Sequence, residues 1–161
     1  MRLGSGLAAV LLLSFATMLA AQPREENPLT LVVAPTDTVA AVHGDTALAQ
    51  ITLKVTPGYH VNANPAASEY YIPLEVKLDS TEIAYFLAPR YPSGKRHRLE
   101  GESEDLLVYD GAVTIDIPLI IGADVKSGTY SIKGRVEFQS CDDRVCFFPE
   151  ERPLRVTLTV R

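Results

Sequence analysis

Beyond its first twenty or so residues the sequence has no apolar run long enough to cross a bilayer. It also has no helical amphipathic pattern, no internal repeat and no low-complexity segment. Cysteine is scarce: Cys141 and Cys146 are the only two, so one bridge is the most the chain can form and a disulfide framework is excluded. The usual zinc-site spacings and the G-x-S-x-G nucleophile motif are both missing, which argues against a structural zinc module and a serine hydrolase. Positive charge is short as well, with 15 Lys and Arg against 20 Asp and Glu. Nucleic-acid binding through phosphate neutralisation needs a basic face. The one local run, Lys95, Arg96, His97 and Arg98, lacks interleaved aromatics and reads as a solvated loop.

What the chain does have begins with a leader. Arg2 precedes an apolar run from Leu7 to about Leu19, and the small residues Ala20 and Ala21 close it. This is the pattern of a secretory signal peptide over residues 1–21, cleaved between Ala20 and Gln22. No cysteine follows the run, so a lipid-modified cysteine is excluded there. Removing the leader takes away Arg2 alone and leaves 14 cations against 20 anions, a net charge of −6. Residues 22–28, polar and proline-bearing, read as a tether, and residues 29–161 as one domain. The expected location is the periplasm or another secreted compartment, where disulfides are permitted. About 140 residues bury a sufficient core without a staple.

Period-two alternation dominates the domain. Ile51, Leu53 and Val55 share one face, and the pattern recurs at Ile72, Leu74, Val76 and Leu78 and at Val113, Ile115, Ile117 and Leu119. It returns at Tyr130, Ile132, Val136 and Phe138 and at Leu154, Val156, Leu158 and Val160. Turn signals such as Pro57-Gly58, Ser93-Gly94, Asp110-Gly111 and Ser127-Gly128 punctuate these runs. The expected fold is all-β, an immunoglobulin-like antiparallel β-sandwich of about seven to nine strands. The stretches HVNANPAASEY (60–70) and YPSGKRHRLEGESEDL (91–106) read as long loops over one end of it.

The two cysteines flank Asp142, Asp143, Arg144 and Val145, which form the four-residue loop of a hairpin. Opposed residues of an antiparallel pair stand roughly 4.5 to 5.5 Å apart at Cα, within reach of a disulfide. As a staple, a ring of about six residues is worth only about 2 kcal/mol, against about 4.7 for a ring of a hundred. Counting parity from Val136 and Phe138 turns Cys141 outward, unless Gly134 introduces a bulge, and an outward pair is open to a partner thiol. The acids Asp142, Asp143, Glu150 and Glu151 oppose a thiolate while Arg144 and Arg152 favour it. Spacing alone leaves redox and structural roles both open.

The segment CDDRVCFFPE resembles the cysteine motif of the DsbD N-terminal domain family, the periplasmic domain of thiol:disulfide interchange proteins. GYHVNANPAASEYYIPLEVKL and YPSGKRHRLEGESEDLLVYDGAVTIDIPL extend the resemblance over nearly the whole mature chain. It implies an immunoglobulin-like domain that receives electrons from a thioredoxin-like domain, itself reduced by a transmembrane domain. The electrons pass on to periplasmic thiol-disulfide oxidoreductases that isomerise disulfides or serve cytochrome c maturation. Carried over, Cys146 attacks partner disulfides and Cys141 resolves the mixed disulfide. Tyr109 and Gly111 shape a strand entry, and His60 and Asn62 lie beside the cysteines, where a His60 titrating near neutral pH assists proton movement. Phe147 and Pro149 follow the nucleophile. No cofactor is implied.

The sequence departs from the family pattern in three places. LEGESEDL (99–106) has no aromatic where the family often places a cap over the disulfide, which leaves Tyr91 or Phe147 to shield the pair. Phe148 replaces the first of two prolines. The sequence ends at Arg161, so the expected reductant is a separate transmembrane or thioredoxin-like protein. The rival function is a secreted immunoglobulin-like binding module whose disulfide is structural. A copper(I) site of the two thiolates and His60 is a weaker reading, and no metal is assigned. The adjacent acids Asp142-Asp143 and Glu150-Glu151 read as turn or docking residues rather than a glycosidase pair.

Overall fold

The computed structural model describes residues 28, 30–34 and 36–161. The expected signal peptide and all of the tether except Pro28 lie outside the described residues. In chain order the strands are β1 (Leu31–Val33), β2 (Val39–Ala41), β3 (Thr46–Val55), β4 (His60–Asn62), β5 (Glu75–Leu78) and β6 (Ala84–Phe86). They continue as β7 (Lys95–His97), β8 (Leu106–Tyr109), β9 (Ala112–Ile121), β10 (Gly128–Phe138), β11 (Ser140–Cys141) and β12 (Glu150–Val160). There is no helix among the described residues.

Two four-stranded sheets, ordered β1-β3-β9-β6 and β2-β12-β10-β5, form the sandwich. The alternation predicted its inner faces. In the β3–β9 ladder Ala49 opposes Ile117, Ile51 opposes Ile115 and Leu53 opposes Val113, all buried. In the β10–β12 ladder Ile132 opposes Val156, and Val136, Phe138, Leu158 and Val160 join the same core. Burying one such aliphatic or aromatic side chain contributes about 1.5 to 3 kcal/mol, so these two hairpin-like ladders carry the fold. The neighbours are antiparallel except β2, which runs parallel to β12 at the edge.

Gly134 introduces no bulge: the β10 register runs unbroken through it on both sides. Its role is close approach, since a Cβ there would collide with the Lys77 carbonyl oxygen and Leu78 of β5. Ile72, expected on the buried face, is 41% exposed because β5 begins only at Glu75.

A third sheet, β11-β4-β8-β7, corrects the expected seven to nine strands to twelve among the described residues. Its strands have two to four residues and come largely from the stretches read as loops. The chain enters β9 from β8 through Asp110 and Gly111, whose φ of 63° suits the residue without a Cβ. The Gly111 carbonyl accepts a hydrogen bond from Val55 N–H at 2.8 Å, tying this corner to the end of β3.

Candidate functional site

The small sheet carries both cysteines. After Phe138 the chain leaves β10 at Gln139 and pairs instead with β4, so that Ser140 opposes Val61 and Cys141 opposes His60. The loop that follows is closed by Asp142. Its N–H donates to the Val145 carbonyl at 3.0 Å, and its Oδ1 accepts from the N–H groups of Arg144 and Val145, each at 2.8 Å. Those backbone donors hold the Asp142 carboxyl below the usual carboxylate range. Asp142 is therefore a turn residue, as expected. Cys146 returns directly opposite Cys141 and the two are disulfide-bonded, with Cα atoms 3.9 Å apart.

Cys141 does not face outward. It is fully buried in a satellite cluster with Leu99, Leu106 and Val108, against which Tyr71 and Cys146 pack. The parity count fails because β11 belongs to a different sheet from β10, so alternation does not carry across Gln139. Cys146 is half-buried, and the loop tip residues Asp143, Arg144 and Val145 are exposed.

Leu99 and Tyr71 supply the cover that was expected from an aromatic. Residues after β7 are fastened to the cysteine loop: Glu100 N–H donates to the Asp143 carbonyl at 2.8 Å, and Arg144 Nε meets Glu100 Oε2 at 3.2 Å. Tyr91 is placed elsewhere: its hydroxyl accepts from Val76 N–H at 2.9 Å and its ring packs on the main core. Phe147 stacks at a tilt on Tyr59, 6.0 Å between centroids, while Phe148 is 78% exposed and Pro149 is exposed.

The supporting residues lie where the sandwich meets the small sheet. Tyr109 opposes Val61 across β8 and β4, and its buried hydroxyl donates to the Pro92 carbonyl at 2.8 Å and accepts from Asn64 N–H at 3.1 Å. Asn62 is buried and its Nδ2 donates to Gln139 Oε1 at 3.2 Å; Gln139 Nε2 in turn donates to the Phe147 carbonyl at 3.1 Å. This relay of amides fixes the residue after Cys146 against β4.

His60 is buried, cross-strand from Cys141, and burial with the neighbouring His97 pushes its imidazole down to about 4, although Asp143, Asp142 and Asp110 pull the other way. It is neutral at physiological pH, which corrects the expected titration near neutrality. The His97 ring lies 4.1 Å from that of His60, with Nε2 3.4 Å from Asp143 Oδ1.

The family description "Thiol:disulfide interchange protein DsbD, N-terminal" matches residues 30–158. The chain belongs to the DsbD N-terminal domain family. Among solved structures it resembles the N-terminal periplasmic domain of ScsB from Proteus mirabilis, at 15% identity and a TM-score of 0.53. That alignment covers 74% of this chain and 43% of the other, so the chain spans under half of that relative. It also matches the Neisseria meningitidis DsbD N-terminal domain in the reduced form at 16% identity and a TM-score of 0.46, covering 77% of this chain and 85% of that one. No curated protein sequence matches the chain.

In this DsbD N-terminal domain, whose family serves thiol-disulfide exchange, the sequence reading missed four residues of the site: Tyr71, His97, Leu99 and Gln139. Three left a signal. His97 lies in the run read as a solvated loop, and Leu99 stands two residues on, as strand neighbours on one face do. In that run the exposed Arg96 and Arg98 pair with Asp105 and the exposed Lys95 pairs with Asp110, whereas His97 is half-buried against His60. Gln139 sits where the core alternation of β10 stops. Tyr71 left none, because its position depends on the irregular chain before β5.

Proposed function

We propose that this domain is a periplasmic carrier of reducing equivalents, with Cys146 as the thiol that attacks partner disulfides and Cys141 as the resolving thiol. The observation that carries the assignment is the difference in access: Cys141 is fully buried, whereas Cys146 is half-buried, two residues before the exposed Phe148 and Pro149. Exchange needs in-line access to one sulfur, and only Cys146 offers it.

In the reduced domain the Cys146 thiolate attacks one sulfur of the partner disulfide, which forms the mixed disulfide and releases the partner's other sulfur as a thiolate. Cys141, deprotonated, then attacks the Cys146 sulfur. The Cys141–Cys146 bond forms, the mixed disulfide breaks, and the partner leaves as a dithiol. Two electrons have passed to the partner, which is a periplasmic thiol-disulfide oxidoreductase. A dithiol protein of the thioredoxin type, reduced by a membrane reductase, returns them by the reverse steps. No cofactor enters either half. Among the described residues no helix is long and apolar enough to cross a membrane.

The surrounding cover supports controlled rather than free exchange. Leu99 and Tyr71 pack over the pair, and the Glu100 contacts to Asp143 and Arg144 hold that cover to the loop. The test is trapping. Cys141→Ser, which keeps Cys146, accumulates a stable mixed disulfide with a thioredoxin-fold protein disulfide on non-reducing gels. Equal trapping by Cys146→Ser, which keeps only the buried sulfur, overturns the roles.

A further inference from the structure

Three side chains from three separate segments converge beside the disulfide: His60 from β4, His97 from β7 and Asp143 from the cysteine loop. Their ligating atoms all lie within 4.8 Å of one another. We propose that these residues form a binding site for a divalent transition-metal ion of the zinc class, with one imidazole nitrogen from each histidine and one carboxylate oxygen as ligands.

Two independent observations point to a ligand. His60 is only 4% exposed, yet its Nε2 has no hydrogen-bond partner, and His97 Nε2 also lacks one. Buried imidazole nitrogens are ordinarily satisfied, and a metal ion satisfies them as an electron-pair acceptor. The spacing is the second. Tetrahedral zinc with bonds of about 2.0 to 2.1 Å separates its ligand atoms by about 3.3 Å. His97 Nε2 and Asp143 Oδ1 already stand 3.4 Å apart, so closing the set requires only that His60 approach this pair.

The donor chemistry selects the ion. Two neutral imidazoles and one carboxylate suit zinc and its first-row neighbours, whereas calcium and magnesium favour sets built from oxygen. Neighbouring cations are engaged elsewhere, Arg144 with Glu100 and Arg96 and Arg98 with Asp105, so they do not occupy Asp143. Entry is open on the other side, because the Asp143 side chain is 71% exposed and that of His97 31%. A water completes four-coordination there. The ion would tie the loop closed by the two cysteines to β4 and β7, at the place where the cover joins the redox pair. The ligands do not include the sulfurs, so the site stands or falls separately from the exchange roles of Cys141 and Cys146.

The test uses the oxidised protein, stripped by chelation and titrated with Zn²⁺ by calorimetry and with Co²⁺ by visible absorption. One ion binds per chain, and Co²⁺ gives the intense d–d bands of a four-coordinate site. His97→Ala and Asp143→Asn, both at solvent-accessible side chains, each weaken binding at least tenfold, while His43→Ala, which removes the one exposed histidine outside the cluster, leaves it unchanged. Absence of Zn²⁺ binding at millimolar concentration overturns the proposal. So does affinity unaltered by both variants, or binding that appears only after the disulfide is reduced and survives His97→Ala.

Discussion

Reducing the Cys141–Cys146 disulfide should leave the domain folded. The bond closes a ring of about six residues, for which the chain-entropy relation gives a loss of about 2 kcal/mol on reduction. The bond also lies outside the main core, since Cys141 packs in the satellite cluster with Leu99, Leu106 and Val108. Domains of this size have stabilities of about 5 to 15 kcal/mol, so most of the stability remains. In urea, with a slope of about 2 kcal/mol per molar, the unfolding midpoint falls by about 1 M. On heating, the midpoint falls by about 5 to 10 °C. The assay is circular dichroism through a urea series with and without dithiothreitol, with free thiols counted to confirm reduction. A loss above about 4 kcal/mol, or unfolding on reduction in the absence of urea, refutes the reasoning and makes the bond a structural staple.

Other outcomes follow from named contacts. Leu99→Ala strips cover from Cys141 and speeds reduction of the disulfide by dithiothreitol, measured by thiol release, while costing about 2 to 4 kcal/mol in urea unfolding. Phe138→Ala empties a fully buried site between the sheets and costs about 3 to 5 kcal/mol in the same assay, without changing the potential of the cysteine pair. Gly134→Ala forces a Cβ against the Lys77 carbonyl and destabilises by about 1 to 3 kcal/mol, visible as a lowered thermal midpoint. His60 has its folded pKa depressed to about 4 from 6.5, so the unfolded chain binds the proton more readily and stability falls as pH drops from 6.5 towards 4. The shift corresponds to about 3 kcal/mol, and in chelating buffer His60→Gln should remove that part of the pH dependence. An unaltered slope in that variant contradicts the assigned burial.

The sandwich was legible because its four long strands alternate cleanly, and every position predicted inward on β3, β9 and β12 is buried. The small sheet was not, for a physical reason. Strands of two to four residues carry too few side chains to display a period, and β7 is a Lys-Arg-His triplet held by backbone pairing to β8 and by outward ion pairs. The cysteine hairpin itself was legible from spacing and turn residues. Its orientation was not, since Gln139 hands the chain from one sheet to another and resets the parity. His60 and Asn62 came from the family resemblance, whereas His97 required the fold that brings residue 97 against residue 60.

The central claim, that the Cys141–Cys146 pair exchanges with partner thiols, is tested most directly by its reduction potential. The protein is equilibrated in thiol redox buffers and its free thiols are counted. Structural bridges lie below about −300 mV, whereas labile or catalytic ones are more oxidising. A value of about −200 mV is expected, with rapid exchange against a thioredoxin-type dithiol. A pair that stays oxidised below about −300 mV contradicts it and makes the domain a binding module with a small staple on one hairpin.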